Sequence, residues 1–388
     1  MKTVLQILPS LKQINGGVER GTLDVAKALT SSGFKSLIIS SGGDMAEKHK
    51  YKGVDHHTIE IDKKGFFNFF LSKIKIKKIL DKTNPDLIHI RSRWPAWCFS
   101  NEIKKRKIPL VTTYHGTYSG NENFLKRNYN KVMTRGDNII TISKFIDDHV
   151  RFFFPEVKPK LVQINRGIDT NYFEINSVSQ IRKESFLNQI AVAENTHIVL
   201  LPARLTSWKG QMVALKALTQ IINKRPELKV IMLFVGSENK GNSFTKKLKK
   251  KIKNFKLDGR VIFCGNISDM PAVYSVADIV LSTSIEPEAF GRVSAEACSM
   301  TKHVIASNHG GSREIIENGV TGWLVEPNKP DKLADQIIEV LELEQNKKDL
   351  IGNNARKRII EKFSLNQMLK KTIAVYEGLI AAKQDFNN

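Results

Sequence analysis

Short apolar segments with strand character recur along the chain in two series, separated by segments with helical spacing or loop composition. The first series lies at residues 3–8, 36–40, 86–90, 109–113, 138–142 and 161–164, and the second at 197–202, 229–235, 260–264, 278–282 and 303–307. Strands that alternate with helices form mainly parallel sheets. The sequence therefore predicts an α/β protein with two doubly wound sheets, and its 388 residues suffice for two separate cores.

The connection between the two series is predicted within residues 165–185, where Asn, Ser and Gln accumulate. Neither half contains the G-x-G-x-x-G pattern of dinucleotide-binding folds. A ligand-binding site on the predicted sheets must therefore be identified from other residues.

Residues 285–297 provide a ligand-binding signal. They follow a short apolar strand and lead into a helix after Gly291. A helix that begins in a loop presents free N–H groups and a positive dipole end, which suit a phosphate. Glu288 in the loop and Glu296, expected about two turns into the helix, could accept hydrogen bonds from sugar hydroxyls. The alternative is an acidic first turn that only favours the helix dipole.

A second cationic loop follows the predicted strand at 197–202. Arg204 and Lys209 lie in this loop, before a helix expected to begin near Gln211. Open α/β sheets bind ligands at the carboxyl ends of their strands, and a guanidinium with an ammonium there could clamp a diphosphate. A solvated surface loop is the alternative reading of the same residues.

Together these motifs resemble the donor site of retaining glycosyltransferases of family 4. Glu288 and Glu296 match that family's E-x7-E motif, preceded by the pair Arg204 and Lys209. Further segments in the family's order are residues 16–20, 86–90, 113–117, 142–144, 164–169, 235–236, 310–316 and 319–322. One departure is Arg166, where many relatives have Gly.

The resemblance implies the GT-B fold, with two Rossmann-like domains facing an interdomain cleft. Residues 1–170 would form the acceptor-binding domain, joined by a C-terminal helix at 365–388 that packs back on it. Residues 171–364 would bind the nucleotide sugar. The implied reaction is retaining transfer of a hexose-type sugar from a UDP- or GDP-linked donor, without a cofactor and without a metal.

The resemblance also implies roles for individual residues of the donor site. Arg204 and Lys209 would neutralise the diphosphate, Glu296 would bind the ribose, and Glu288 would hold hydroxyls of the transferred sugar. The remaining donor contacts would come from the backbone around Phe290, Gly291 and Arg292, from the Gly16–Gly17 pair, and from His115 near the anomeric centre.

Cations and aromatic side chains in the first half suggest an acceptor site. These residues are Arg91, Arg93, Trp94, Tyr114 and Tyr118. They could bind a charged saccharide, although the Trp residues could instead fill the core. The combination resembles bacterial enzymes that extend lipopolysaccharide core or another envelope glycan, which act on a saccharide or lipid-linked acceptor.

The net charge of +22 predicts an anionic partner. Residues 1–166 contain 30 Lys and Arg against 15 Asp and Glu, and residues 167–388 contain 31 against 24. Within the more basic half, residues 66–80 combine Phe with Lys at helical spacing. Such a helix could bind an anionic membrane surface reversibly. Alternatively, its apolar residues form a buried face.

Other features indicate a cytoplasmic protein, peripheral at most to the inner face of the cytoplasmic membrane. No apolar run approaches the roughly 18 residues that span a bilayer, and the N-terminus lacks the order of a signal peptide. Cys98, Cys264 and Cys298 are odd in number and widely spaced, which predicts reduced thiols.

Two rival functions remain. A basic nucleic-acid-binding protein would require a compact basic motif, which the sequence lacks, so no nucleic-acid partner is predicted. A synthase that joins soluble sugars would share the fold and the donor site. Only a panel of donors and acceptors would distinguish it from an enzyme of envelope glycan synthesis.

Overall fold

The computed structural model describes residues 1–12, 17–48, 51–63, 65–118, 122–238 and 243–387. The chain divides into two compact units, one formed by Met1–Asn165 with Asn366–Asn388 and the other by Arg166–Leu365. Each unit contains one parallel sheet with helices between successive strands. The prediction of two doubly wound α/β domains is therefore confirmed.

The first unit has a seven-stranded sheet in the order β3-β2-β1-β4-β5-β6-β7. Its strands are β1 Thr3–Ile7, β2 Lys35–Ser40, β3 Val54–Thr58, β4 Leu87–Ile90, β5 Leu110–Tyr114, β6 Asn138–Thr141 and β7 Leu161–Gln163. The helices are α1 Gly17–Ser31, α2 Asp44–Lys48, α3 Phe66–Thr83, α4 Arg93–Lys105, α5 Phe124–Asn130 and α6 Lys144–Phe153, with 3-10 turns at Lys131–Arg135 and Pro155–Lys160.

The second unit has a six-stranded sheet in the order β10-β9-β8-β11-β12-β13. Its strands are β8 His197–Pro202, β9 Val230–Val235, β10 Val261–Gly265, β11 Ile279–Ser282, β12 His303–Ser307 and β13 Trp323–Val325. After a 3-10 turn at Ile175–Ser177, the helices are α7 Gln180–Ile190, α8 Gln211–Lys224, α9 Ser243–Asn254, α10 Met270–Val276, α11 Arg292–Ser299, α12 Ser312–Ile315, α13 Pro330–Glu342 and α14 Gln345–Phe363.

The last helix, α15 Leu365–Asn387, lies in the first unit over most of its length. Tyr376 and Ile380 are buried in one apolar cluster with Val4 of β1, Leu87 of β4 and Val111 of β5. The C-terminal residues thus contribute to a core whose strands were formed by the first 165 residues.

Each of the eleven predicted strands overlaps an observed strand, but β3 and β13 were missed. Both lie at a sheet edge. The β3 sequence, Val-Asp-His-His-Thr, is polar because its side chains are mostly half-buried or exposed. The three residues of β13 are too few to show a periodic pattern. Edge strands lack the continuous apolar runs of central parallel strands, which explains both omissions.

Both cores consist of the apolar strand residues together with one face of each covering helix. In the second unit one cluster joins β8, β9 and β11 to α8 and α13. Among the described residues, no helix combines the length and apolarity needed to cross a membrane.

Candidate active site

The loop after β8 and the loop after β11 meet in the second unit through their backbones. Gly210 has φ 85°, and a Cβ atom built on it would lie 2.0 Å from the carbonyl oxygen of Thr283. The backbone N–H of Ile285 donates to the Trp208 carbonyl at 2.7 Å. Only Gly permits this approach and this conformation, so the sequence at Gly210 fixes the position of Lys209.

Lys209 and Glu288 form an ion pair across these two loops. The Nζ of Lys209 lies 2.7 Å from Oε1 of Glu288, with 13% and 15% of the two side chains exposed. The ammonium also lies 4.1 Å from the centroid of the Trp208 ring, and Ser284 donates to the same carboxylate oxygen. Because both charges are mostly withdrawn from water, the pair is oriented more firmly than a surface salt bridge.

Glu296 lies in α11 and is held by two donors. Arg292 Nη2 donates to Oε1 at 2.6 Å, and the Tyr274 hydroxyl donates to Oε2 at 2.9 Å. Burial, and secondly the charge of Glu296, raise the pKa of Tyr274 well above its ordinary value, so it remains a donor. Since α11 begins at Arg292, Glu296 lies just over one turn into the helix; the expected two turns were wrong.

The loop after β12 supports the backbone between the two glutamates. The N–H of Gly311 donates to the Glu288 carbonyl at 2.8 Å. A Cβ at Gly310 would lie 2.6 Å from that same carbonyl oxygen, and one at Gly311 would lie 2.4 Å from the carbonyl oxygen of Phe290. Phe290 itself is buried, and Gly291 has φ 97° where α11 begins. The glycines therefore let a third loop fix the segment from Glu288 to Gly291.

Arg204 differs from the other predicted donor residues because its side chain is exposed. Its carbonyl accepts a hydrogen bond from Gln211 Nε2 at 3.0 Å, which anchors the backbone. Within the described residues its guanidinium forms no ion pair. The structure thus brings together Lys209 with Glu288 and Arg292 with Glu296, and leaves Arg204 at the surface of the same loop.

These side chains lie at the carboxyl ends of β8 and β11, the neighbouring strands where the order of the sheet reverses. Open α/β sheets bind ligands at this switch point. Half-buried cations, two carboxylates and the start of α11 can there receive an anionic group next to a hydroxyl-rich one.

His115 and Gly17 belong to the first unit. His115 follows β5 and is half-buried, and its backbone N–H lies 3.5 Å from the Tyr118 hydroxyl. Gly17 begins α1. Gly16, predicted to approach the donor phosphates, lies outside the described residues.

Arg93 is the centre of an aromatic cluster in the first unit. Its guanidinium carbon lies 4.3 Å from the Tyr118 ring centroid and 5.5 Å from that of Tyr129, and Nη1 donates to Asn130 Oδ1 at 2.7 Å. Tyr114 is fully buried and its hydroxyl donates to the Asn130 carbonyl at 3.0 Å. The predicted residues Arg93, Tyr114 and Tyr118 are therefore neighbours.

The two Trp residues of α4 do not fill the core. The alternative interpretation of the sequence, in which they do, is therefore wrong. Trp94 is half-buried, and 44% of Trp97 is exposed. The ring of Trp97 lies 6.0 Å from that of Tyr129, at the border of the Arg93 cluster.

Arg91 was predicted beside Arg93 but has a different environment. Only 6% of it is exposed, and its guanidinium donates to Gln6 Oε1 at 3.0 and 2.8 Å. It is also hydrogen-bonded to Tyr376, whose hydroxyl lies 2.5 Å from His89 Nδ1. Burial lowers the pKa of Arg91, and the neighbouring charge of Tyr376 partly offsets that effect. These contacts place the Arg91 side chain in the interior of the first unit and not beside Arg93.

Four supporting residues were missed by sequence reasoning. Ser284 is four residues from Glu288, a local spacing that could have indicated it. Tyr274, Tyr129 and Asn130 contact their partners only through tertiary structure, and no pattern in the sequence marks them. Within the described ranges, no three His, Cys, Asp or Glu side chains form a group suited to a metal ion. The expectation of metal-independent transfer stays a prediction.

Comparison with known proteins agrees with this arrangement. Residues 182–358 match the family described as "Glycosyl transferases group 1", and residues 15–172 match "Glycosyltransferase Family 4". Arg204, Lys209, Glu288 and Glu296 fall in the first of these two segments, and Gly17, His115 and the Arg93 cluster fall in the second.

Three similar proteins span nearly the whole chain. A glycosyltransferase structure from Rickettsia africae is 35% identical with a TM-score of 0.89, over 98% of both chains. The Anabaena protein HepE, in complex with UDP and glucose, is 25% identical with a TM-score of 0.80, over 97% of this chain and 100% of its own. An uncharacterized glycosyltransferase of Methanocaldococcus jannaschii, MJ1607, is 27% identical over 94% of this chain and 95% of its own.

Proposed function

We propose that the second unit binds a UDP- or GDP-linked hexose and that the first unit binds the acceptor, because the chain belongs to the glycosyltransferases with the GT-B fold. The observation that carries this assignment is the Lys209–Glu288 pair at the switch point, together with Glu296 held by Arg292 on the helix that follows. The UDP and glucose bound by the Anabaena relative support a nucleoside diphosphate sugar as donor.

Lys209 and Arg204 bind the diphosphate in this proposal. Negative charge grows on the leaving diphosphate as its bond to the anomeric carbon breaks, so fixed cations stabilise the transition state more than the ground state. An oxygen of the acceptor hydroxyl forms the new bond to that carbon, and the hydroxyl proton passes to the leaving diphosphate. Backbone N–H groups near Phe290, Gly291 and Arg292 add donors to the same anion.

Two carboxylates divide the remaining donor contacts. Glu296, oriented by Arg292 and Tyr274, accepts hydrogen bonds from the ribose hydroxyls. Glu288 exchanges part of its contact with Lys209 for hydroxyls of the hexose. His115 contacts the sugar near the anomeric carbon, and transfer proceeds with retention of configuration.

The acceptor is proposed to be a saccharide or lipid-linked glycan of the bacterial envelope, of which lipopolysaccharide core is one example. The Arg93 cluster supports a charged saccharide, since its cation and rings can bind acidic groups and sugar faces. Helix α3 supports action at a membrane. Ile76 and Leu80 are buried on one face, whereas 75% of Phe67 and 55% of Ile74 are exposed on the other.

The exposed face of α3 also carries basic side chains. Lys75, Lys77 and Lys78 are exposed and Lys73 is half-buried. The reading of α3 as a buried face with a solvated back accounts for Ile76 and Leu80 but not for Phe67 and Ile74. Exposed apolar and cationic groups on one helix are typical of reversible binding to an anionic bilayer.

A thermal-shift panel of UDP, GDP, ADP and CMP tests the donor site, because a ligand stabilises the state it binds by mass action. We expect a rise in Tm with UDP or GDP. Isothermal titration then separates the carboxylates: Glu296→Gln weakens binding of the nucleotide alone, whereas Glu288→Gln leaves it nearly intact and reduces transfer. The reverse pattern would contradict the two assigned roles.

Product analysis tests the stereochemistry. The anomeric configuration of the transferred sugar, read by NMR, should equal that of the donor. A product with inverted configuration would contradict a retaining mechanism but would not contradict the proposed donor site.

Vesicle sedimentation tests the membrane assignment. Replacing Lys73, Lys75, Lys77 and Lys78 by Ser should weaken binding to anionic vesicles and transfer to a lipid acceptor, while donor hydrolysis in solution survives. A matched control replaces four lysines of α9, Lys246, Lys247, Lys249 and Lys250, all of which are exposed. Equal loss in both variants would show a general charge effect and no specific role of α3.

A further inference from the structure

Three of the most exposed apolar side chains of the first unit lie on α5 and at the end of α6. The exposed fractions are 77% for Phe124, 76% for Leu125 and 78% for Phe152. We call these three residues the Phe124 surface. Large apolar side chains exposed to this degree on two adjoining helices indicate an interaction site.

The Phe124 surface is built on two segments that are fastened together. Arg127, one turn after Phe124, donates from Nη2 to the Phe153 carbonyl at 2.6 Å, and its guanidinium lies 5.7 Å from the Phe154 ring. The Phe152 and Phe153 rings meet edge to face at 5.0 Å. The opposite side of α6 is buried through Ile146 and Val150. The exposure of the three side chains is therefore a property of folded helices.

The charges around the Phe124 surface favour an anionic partner. Asp147, Asp148 and Glu156 are each neutralised by an ion pair, with Arg151, Lys144 and Lys131 respectively. Lys126, Lys158 and Lys160 are exposed and form no ion pair with a described residue. Glu122 is the remaining acidic side chain of these segments. Unneutralised charge on this part of the unit is thus mainly positive.

The same two helices reach the Arg93 cluster. Tyr129 on α5 stacks near Arg93, and His149 on α6 is hydrogen-bonded to the backbone of Thr117, in the loop that follows His115. The Phe124 surface therefore adjoins the place where the proposed function puts the acceptor.

We propose that the Phe124 surface inserts into the interfacial layer of an anionic phospholipid bilayer, as a contact separate from α3. Side chains that are more than three-quarters exposed project from the surface and line no groove, which suits a fluid layer better than a folded partner. Lysines beside them meet the lipid phosphates. This inference rests on the proposed function in one respect, because it places a lipid-linked acceptor beside the Arg93 cluster.

Site-specific fluorescence tests the insertion. Phe124→Cys, Phe152→Cys and Ile181→Cys are made one at a time in a Cys264→Ser background, which leaves the buried Cys98 and Cys298, and each introduced thiol carries an environment-sensitive NBD label. Ile181 is the matched control, because 78% of it is exposed but it lies on α7 of the second unit. With vesicles containing phosphatidylglycerol, emission at 124 and 152 should shift to the blue and rise about twofold or more, while 181 does not respond.

A triple variant supplies the second measurement. Phe124→Ser with Leu125→Ser and Phe152→Ser should lower the partition coefficient on these vesicles about tenfold or more, whereas Ile181→Ser should not. Unchanged emission at 124 and 152, or an equal response at 181, overturns the inference. If the Tm shift with UDP or GDP and donor hydrolysis persist in that case, the membrane contact alone has failed. Loss of both instead removes the proposed function.

Discussion

The two sheets share one topology but use their switch points differently. Strand order reverses between β1 and β4 in the first unit and between β8 and β11 in the second. In the second unit, Lys209 and Glu288 lie beyond these strands and remain partly exposed. In the first unit, Gln6 and Arg91 at the equivalent strands are buried, and α15 supplies Tyr376 to their network.

This difference shows that strand order places a crevice at the switch point, and that the side chains there decide whether it holds a buried structural network or accessible charges. A buried polar network is stable only when its members are all satisfied, and the first unit satisfies Arg91 and His89 internally. Charges in the second unit are instead held where they can exchange partners. The following experiments break or sharpen this contrast, from the largest expected effect to the smallest.

Lys209→Ala should reduce transfer most. Loss of a fixed cation at a developing diphosphate costs on the order of 2–4 kcal/mol of transition-state stabilisation, and Arg204→Ala should act in the same range. The measurement is kcat/KM, with the exposed Lys246→Ala on α9 as control. Activity within a few-fold of the wild type for Lys209→Ala would remove the basis of the donor site.

Gly210→Ala should destabilise the second unit by about 2–3 kcal/mol more than Gly259→Ala. Both glycines have positive φ, 85° and 76°, but a Cβ at Gly210 meets the Thr283 backbone whereas one at Gly259 has no described atom within 4 Å. The difference therefore isolates the close approach of the two loops. Urea denaturation measures it, and equal costs would argue against that approach.

Tyr376→Phe should lower the free energy of unfolding by about 1–3 kcal/mol, because buried His89 and Arg91 lose a partner. KM for the donor should not change, since the network serves the fold of the first unit. Tyr172→Phe is the control, as its hydroxyl donates to the Ser268 carbonyl at 3.4 Å in an exposed position. A raised KM for the donor in Tyr376→Phe would show that the switch point of the first unit also affects donor binding, contrary to the comparison above.

Acidification should weaken the first unit gradually. Burial, and then the charge of Arg91, lower the pKa of His89 well below 6.5 in the folded state. The unfolded chain thus binds a proton that the folded chain does not, so stability falls as pH drops below about 6.5, by about 1.4 kcal/mol per pH unit. His89→Asn should flatten this slope relative to His197→Asn, a more exposed site; an unchanged slope would assign it to other groups.

Sequence reasoning located more of the proposed donor residues in one loop region than it did of the proposed acceptor residues. Glu288, Glu296 and Lys209 lie near turns and helix starts, where local chemistry leaves a recognisable spacing. Arg91 and Arg93, two residues apart, share a motif yet have opposite environments, because one points to Gln6 and Tyr376 and the other to Tyr118 and Tyr129. Spacing alone cannot separate them, since their partners lie up to 285 positions away.

The sequence by itself determined the two parallel sheets and the loops that carry the proposed donor residues, because apolar periodicity, glycines and helix starts act over short distances. The tertiary structure decided which charges became partners. Tyr274 reaches Glu296 and Tyr376 reaches Arg91 only when distant helices pack on the sheets. Burial then makes those hydrogen bonds obligatory, since an unpaired polar group in the interior costs more than one at the surface.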